Sequence, residues 1–194
     1  MNKKLEVKDL INVGLFTALY FVCFFATGMV GYIPVFIVLI PFLCPIVAGI
    51  PFMLFLTKVK KFGMITIMGT IVSIFMLLTG HPWIVVIFGI VFGLAADLIM
   101  KAGNYQSIKA AIMGYGVFSE WLMGAIVSLF FGFRENYFAT MREGYGDVYV
   151  DKLMALTPNW IFYVMIILAF AGGIIGALLG KAVLKKHFKK AGMA

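Results

Sequence analysis

The stretch PNWIFYVMIILAFAGGIIGALLG, residues 158–180, decides the fold class, because none of its 23 residues is charged. A helix of about 20 apolar residues crosses the hydrocarbon core of a bilayer. Five similar runs precede it, so that the six lie at about 9–29, 35–57, 62–79, 83–100, 109–132 and 158–180. Of the 194 residues 63% are hydrophobic and 12% are charged. The sequence predicts an all-α integral membrane protein, a single domain (1–194) of six transmembrane helices.

The net charge of +8 comes from basic residues that lie at alternate ends of the apolar runs. Thirteen of the sixteen basic residues flank the first, third, fifth and last boundaries of the runs: Lys3, Lys4, Lys8, Lys58, Lys60, Lys61, Lys101, Lys109, Lys181, Lys185, Lys186, Lys189 and Lys190. Only Arg134, Arg142 and Lys152 lie on the other side. Because basic loops stay in the cytoplasm, we expect both termini to be cytoplasmic and the protein to lie in the cell membrane. The charge is therefore no sign of nucleic-acid binding.

Enzyme chemistry is not indicated. No nucleophile–base set, HExxH motif or pair of carboxylates with catalytic spacing occurs, and Cys23 and Cys44 lie alone inside apolar runs. The segment GGIIGALLGKA, residues 172–182, fails the phosphate-loop pattern at Ile175 and Ala182. We expect no catalytic residue, metal site or cofactor, and no ATP hydrolysis by this chain.

Prolines and one polar loop organise the chain outside the bilayer. Pro34, Pro82 and Pro158 are each expected to start a helix that descends from the outer face, with Thr157 as a cap of the last one. Pro41, Pro45 and Pro51 predict an irregular second span. The loop 134–157 is the one sizeable segment outside the bilayer and a candidate lid.

Two carboxylates lie within apolar runs, where ionisable groups are costly. Asp97 precedes Lys101 by four residues, which favours a local ion pair. Glu120 has no such partner and shares a helical face with Gly116 and Gly124, so it points to a close helix or into a cavity. Its carboxyl group could therefore line a ligand pocket or form a buried hydrogen bond, and the sequence leaves both alternatives open.

Small residues recur at four-residue spacing. Gly172, Gly176 and Gly180 line the last run, and Gly14 and Ala18 the first. Such stripes let helix backbones approach each other, either within the chain or with a partner.

Polar and aromatic groups meet at the outer boundary. Trp83, Trp160, Tyr32 and Tyr137 fit an interfacial aromatic belt. His81 beside Trp83, and Asn159 beside Trp160, are not needed for such a belt. They predict stacking faces and hydrogen-bond groups for a small ligand.

The segments NVGLFTALYF, LLTGHPW, GLAADLIMKAGNY and ALTPNW resemble the MptD or Trep_Strep group of substrate-binding (S) components of energy-coupling factor (ECF) transporters. The resemblance covers nearly the whole chain. It implies a six-helix S-component bundle that captures a small vitamin-like molecule outside the cell and associates with a transmembrane coupling subunit and two ATPases.

The resemblance also implies candidate site residues. By position, the ligand candidates are His81, Trp83, Glu120, Tyr137, Asn159 and Trp160. Gly14 and Ala18 match the small-residue motif that contacts the coupling subunit in that group, whereas Val22 departs from it.

Two other function classes stay open at this stage. One is an autonomous secondary carrier or channel with Glu120 as its proton site, and the other is a structural membrane protein without a ligand.

Overall fold

The computed structural model describes residues 4–132, 134–190 and 192, so that Lys3 of the basic N-terminal flank lies outside the described residues. All regular elements in these ranges are helical. The α-helices are α1 Val7–Gly28, α2 Pro34–Ile37, α3 Ile40–Leu56, α4 Met64–Leu78, α5 Ile84–Ala102, α6 Ile108–Phe118, α7 Met123–Ile126, α8 Arg134–Tyr145, α9 Asp147–Leu156, α10 Trp160–Val183 and α11 Lys185–Lys190. Short 3-10 segments follow α1, α6 and α7.

The long helices form a bundle in which helices that follow each other along the chain run in opposite directions, whereas α3 and α10 run parallel. The lysine end carries the connections 57–63 and 103–107 and helix α11, and the hairpin end carries the helical hairpin α8–α9. Within the described residues, four helical stretches are long and apolar enough to cross a membrane: Val7–Tyr32, Ile84–Ala102, Ile108–Leu129 and Trp160–Val183. Helices α3 and α4 are apolar but shorter, with 17 and 15 residues.

The second predicted span is irregular, as its prolines indicate. The break lies between α2 and α3, and Pro41 occupies the first turn of α3, where a missing N–H costs nothing. Only Pro45 and Pro51 lie inside the helix. Pro41 therefore starts a helix and does not interrupt one.

Glycines of α10 bring that helix against α3. A Cβ added to Gly176 would lie 2.2 Å from the carbonyl oxygen of Pro45, and one added to Gly172 would lie 2.4 Å from that of Phe42. Such contact requires residues without a side chain. The glycine stripe of the last span therefore serves packing within this chain.

The buried core between the helices is rich in aromatic rings with satisfied polar groups. The indole Nε1 of Trp121 donates to the Tyr20 hydroxyl at 3.1 Å, and the Tyr115 hydroxyl donates to the carbonyl oxygen of Pro45 at 2.7 Å. All three aromatic side chains are fully buried. Because each bond joins different elements, these groups fix how α1, α3 and the Ile108–Leu129 run lie against one another.

Candidate functional site

A pocket of about 200 Å³ lies at the hairpin end of the bundle. Its floor comes from the ends of α1, α4 and the Ile108–Leu129 run, and its roof comes from α8 and α9. The lining residues are Phe24, Phe25, Gly28, Met29, Gly31, Tyr32, Ile37, Ile40, Met76, His81, Leu122, Ala125, Ile126, Leu129, Tyr137, Met141, Tyr145 and Tyr149. None of them carries a formal charge at neutral pH when His81 is neutral.

The α8–α9 hairpin is held over this pocket at both of its ends. The Arg134 guanidinium donates to the carbonyl oxygens of Leu129, before α8, and Thr157, after α9, the latter at 3.0 Å. It also lies over the ring of Phe138, 4.9 Å from the centroid. Because one cation binds the chain just before α8 and just after α9, it holds the two ends of the hairpin together.

Side chains of α8 and α9 hold the two helices together and join them to the end of the first helix. The Tyr149 hydroxyl donates to the carbonyl oxygen of Gly31 at 2.7 Å, and its ring stacks on Tyr145 with centroids 5.0 Å apart. Arg142 binds Asp147 and Asp151 at 2.7 and 2.5 Å, but water screens ion pairs at the surface, so these contribute little to stability. The Tyr149 bond is therefore the main polar contact between the hairpin and the first helix end.

His81 lines the pocket and uses one ring nitrogen for contacts within the chain. Its Nδ1 lies 3.2 Å from the carbonyl oxygen of Met76 and 3.2 Å from the Thr79 hydroxyl oxygen. The carbonyl only accepts and the Thr79 hydroxyl donates to Met76, so we assign the imidazole proton to Nδ1. Nε2 of the neutral ring is then an acceptor, and it has no protein partner in the described ranges. Burial lowers the pKa of His81, an effect that the bond to Met76 partly offsets, so the neutral form prevails at pH 7.

The tyrosines supply the opposite chemistry. Burial raises the pKa of Tyr137 to about 12 and that of Tyr149 to about 12, so both hydroxyls keep their protons. Tyr149 spends its proton on Gly31. The Tyr137 hydroxyl has no hydrogen-bond partner in the described part of the chain, which leaves it as a donor or acceptor for a ligand.

The structure brings together only two of the six candidate ligand residues from the sequence, His81 and Tyr137. Trp83 and Trp160 are 62% and 63% exposed at the hairpin end, and Asn159 is exposed beside the latter. None of these three lines the pocket, although all lie at the same end of the bundle. Their role in binding stays a prediction.

Asn159 also takes a position predicted for another residue. It precedes the first turn of α10, whereas the Thr157 hydroxyl donates back to the carbonyl oxygen of Leu153 at 2.8 Å. The prediction of Thr157 as the cap of this helix was wrong, because the residue instead ends α9.

Glu120 lies in a different cavity. It is 7% exposed and lines a lateral cleft between α5 and α10, and its Oε1 has no hydrogen-bond partner among the described residues. Added Cβ atoms at Gly116 and Gly124 would collide with α10 and α5, respectively. The stripe thus faces close helices, as the sequence indicates, and it does not face the hairpin pocket.

Asp97 has a structural position. Its Oδ2 accepts the N–H groups of Gly63 and Thr66 at 3.1 and 2.7 Å and the Thr66 hydroxyl at 2.6 Å. It therefore caps the first turn of α4 from a neighbouring helix. The predicted ion pair with Lys101 was wrong, since the Lys101 ammonium lies over the ring of Phe62 instead.

Several pocket residues were missed from the sequence. Phe24 and Met76 lie inside apolar runs, where nothing distinguishes a pocket wall from core. Tyr145 and Tyr149 stand out in the sequence only as two tyrosines in an otherwise polar loop, and since they belong to different helices, α8 and α9, helical spacing does not relate them. Among the described residues, no three His, Cys, Asp or Glu side chains come together as a metal site requires.

A family model described as a hypothetical bacterial integral membrane protein (Trep_Strep) matches residues 7–190. The matched range contains every helix described above, including those that form the pocket. No curated protein and no solved structure matches the chain. The chain belongs to the Trep_Strep family of bacterial integral membrane proteins.

Proposed function

We propose that this chain is the substrate-binding membrane subunit of an ECF-type ABC transporter and captures a small micronutrient for ATP-driven uptake. The observation that carries the proposal is the roofed pocket at the hairpin end, where aromatic walls surround a few polar atoms without protein partners. An aromatic and apolar lining with a few polar groups is typical of small-molecule sites. Resemblance to the S-component group supports the transporter context.

The proposal assigns six membrane crossings, with both termini in the cytoplasm. Helix α3 has 17 apolar residues, about 25 Å at 1.5 Å per residue, and the preceding turn and α2 extend the crossing. Helix α4 is shorter and lies between longer neighbours. The lysine end would face the cytoplasm under the positive-inside rule. The hairpin pocket would then face the cell exterior, where substrate is captured.

The pocket favours a small, uncharged, ring-shaped ligand. Its volume of about 200 Å³ exceeds the engineered cavities of about 150 Å³ that hold benzene in other proteins. No Asp, Glu, Lys or Arg of the described ranges lines it, so a charged ligand would be buried without a counter-charge. A hydrogen-bond donor on the ligand would meet Nε2 of His81, and Tyr137 would take a second polar group.

An open face of α1 supports a contact with the coupling subunit. A Cβ added to Gly14 would meet nothing within 4 Å, and Ala18 on the same face is exposed. The stripe of α1 therefore differs from that of α10, which is already covered by α3 of the same chain. Val22 continues the face with a larger side chain, 65% exposed. The energy source would be ATPase subunits bound through that partner.

Affinity purification of the tagged chain from its own host tests this proposal. We expect a transmembrane coupling subunit and two ATPases to copurify. Gly14→Leu should lower their yield by about tenfold, the effect of about 1.4 kcal/mol at an interface, without weakening a helix in which Leu is preferred to Gly. Val91→Leu, at a 52% exposed position of α5, is the matched control. A wild-type protein that never brings down such subunits would refute the proposal.

A second candidate function, a carrier that couples transport to a proton at Glu120, is favoured by the unpaired Oε1 of that residue. Uptake by Glu120→Gln cells across pH 5–8 distinguishes the two functions. A proton-coupled carrier would lose its pH-dependent uptake. Uptake equal to that of wild type at every pH would eliminate this candidate.

A further inference from the structure

The lateral cleft around Glu120 is separate from the hairpin pocket. It has a volume of about 520 Å³ and lies between α5 and α10. Its base is formed by Glu120, in the 3-10 segment that follows α6, and by Met123 of α7. The lining residues are Phe88, Phe92, Glu120, Met123, Phe162, Ile166, Ile167 and Phe170. The two cavities share no lining residue.

The cleft opens on the side of the bundle. Ile167, on its rim, is 68% exposed, and the neighbouring Val91 of α5 is 52% exposed. Both lie within apolar helices long enough to cross a membrane. A ligand would therefore enter from the hydrocarbon region, which selects for a molecule with an apolar body.

The chemistry of the lining is that of a site for an organic cation. Four phenyl rings come from two helices, Phe88 and Phe92 from α5 and Phe162 and Phe170 from α10. The faces of aromatic rings attract ammonium groups, more strongly where water is excluded. Glu120 adds an acceptor that is nine-tenths buried. Within the part of the chain that the structure describes, its Oε1 has no partner, and no Lys or Arg lines the cleft to neutralise it.

We propose that this cleft is a second, bilayer-facing binding site for an apolar organic amine, whose ammonium group pairs with the Glu120 carboxylate while its body lies among the four phenyl rings. A neutral alcohol of the same shape would gain the apolar contacts but neither the ion pair nor the cation–π attraction. The cleft volume lies within the usual range for sites of drug-sized molecules, about 300–1,000 Å³.

Protection of Glu120 from a hydrophobic carbodiimide tests the proposal on the wild-type protein. The purified chain is placed in phosphatidylcholine nanodiscs and treated with dicyclohexylcarbodiimide, an apolar reagent that reacts with a carboxyl group while it holds its proton. An amine that binds would take the Glu120 proton to form the ammonium–carboxylate pair and so block this reaction. Peptide mass spectrometry locates the adduct. We expect an adduct at Glu120. 1-Adamantanamine should slow its formation about tenfold at about ten times its Kd. 1-Adamantanol, which has the same body without the charge, should protect far less.

Equal protection by the amine and the alcohol, or no protection by either, would overturn the proposal, as would the absence of any adduct at Glu120. Binding of 1-adamantanamine to nanodiscs is measured in parallel for two variants. Glu120→Gln should lose the binding, whereas Glu135→Gln, which removes an exposed carboxylate of α8, should keep it. If Glu120→Gln does not fold, the protection experiment on the wild type still decides.

Discussion

Gly176→Ala should destabilise the bundle, because α10 and α3 touch through their backbones at this position. The added Cβ would lie 2.2 Å from the Pro45 carbonyl oxygen and 3.0 Å from the Ile46 Cα, whereas ordinary contact begins at 3.4 Å. The obstacle is backbone, so the helices must separate by about 1 Å. Overpacking of this kind costs about 1–3 kcal/mol. At about 2–4 °C per kcal/mol for a chain of this size, Tm should fall by about 2–12 °C.

The assay is a thermal melt in detergent with a fluorogenic maleimide. Cys44 on α3 is fully buried and becomes reactive only on unfolding, and Cys23→Ser removes the other, half-buried thiol. Gly14→Ala is the matched control, since its Cβ meets nothing within 4 Å and Ala favours a helix over Gly by up to about 1 kcal/mol. A Gly176→Ala protein that melts within about 1 °C of the Gly14→Ala protein would refute the packing argument.

Three further outcomes follow from the site. Tyr149→Phe removes the 2.7 Å bond to the Gly31 carbonyl, worth about 0.5–1.5 kcal/mol, and should speed hydrogen exchange in α8 and α9. Unchanged exchange would contradict the role of this bond in holding the hairpin over the pocket. Asp97→Asn loses a charged acceptor of three hydrogen bonds and should lower the melting temperature by the equivalent of about 1.5–3 kcal/mol, whereas a wild-type melt would rule out its capping role. The pKa of His81 is held below its ordinary 6.5, so Nε2 stays an acceptor above pH 6.5. Ligand affinity should therefore be constant from pH 8 to 7 and fall as the pH drops below 6.5. A Kd that does not change with pH, or a pH dependence of Kd that remains in His81→Gln, would contradict this.

Much of the bundle could be predicted from hydropathy. Four of the six predicted runs are long apolar helices, and the other two are shorter helices. The glycine spacing of the last run also predicted close helix contact, and Gly176 makes it. These features are local, since length, apolarity and the absence of a Cβ are properties of the chain segment itself.

The composition of the pocket could not be predicted in the same way. A helix that is apolar on all sides has no hydropathy signal for its rotation, so the sequence could not separate the cavity of Glu120 from that of His81. Tyr149 reaches the pocket only because the hairpin folds back onto Gly31, residues far apart in the chain. Asp97 likewise paired with a distant helix end and not with its neighbour Lys101.

The most direct test of substrate binding is mass spectrometry of the small molecules released from the protein purified from its own host. We expect one uncharged, ring-containing molecule in about one-to-one ratio with the wild-type chain. It should be retained by Tyr163→Ala, which changes an exposed aromatic of α10, and lost from Tyr137→Ala. A wild-type protein that releases no stoichiometric molecule, or equal retention by both variants, would contradict a binding role for the hairpin pocket.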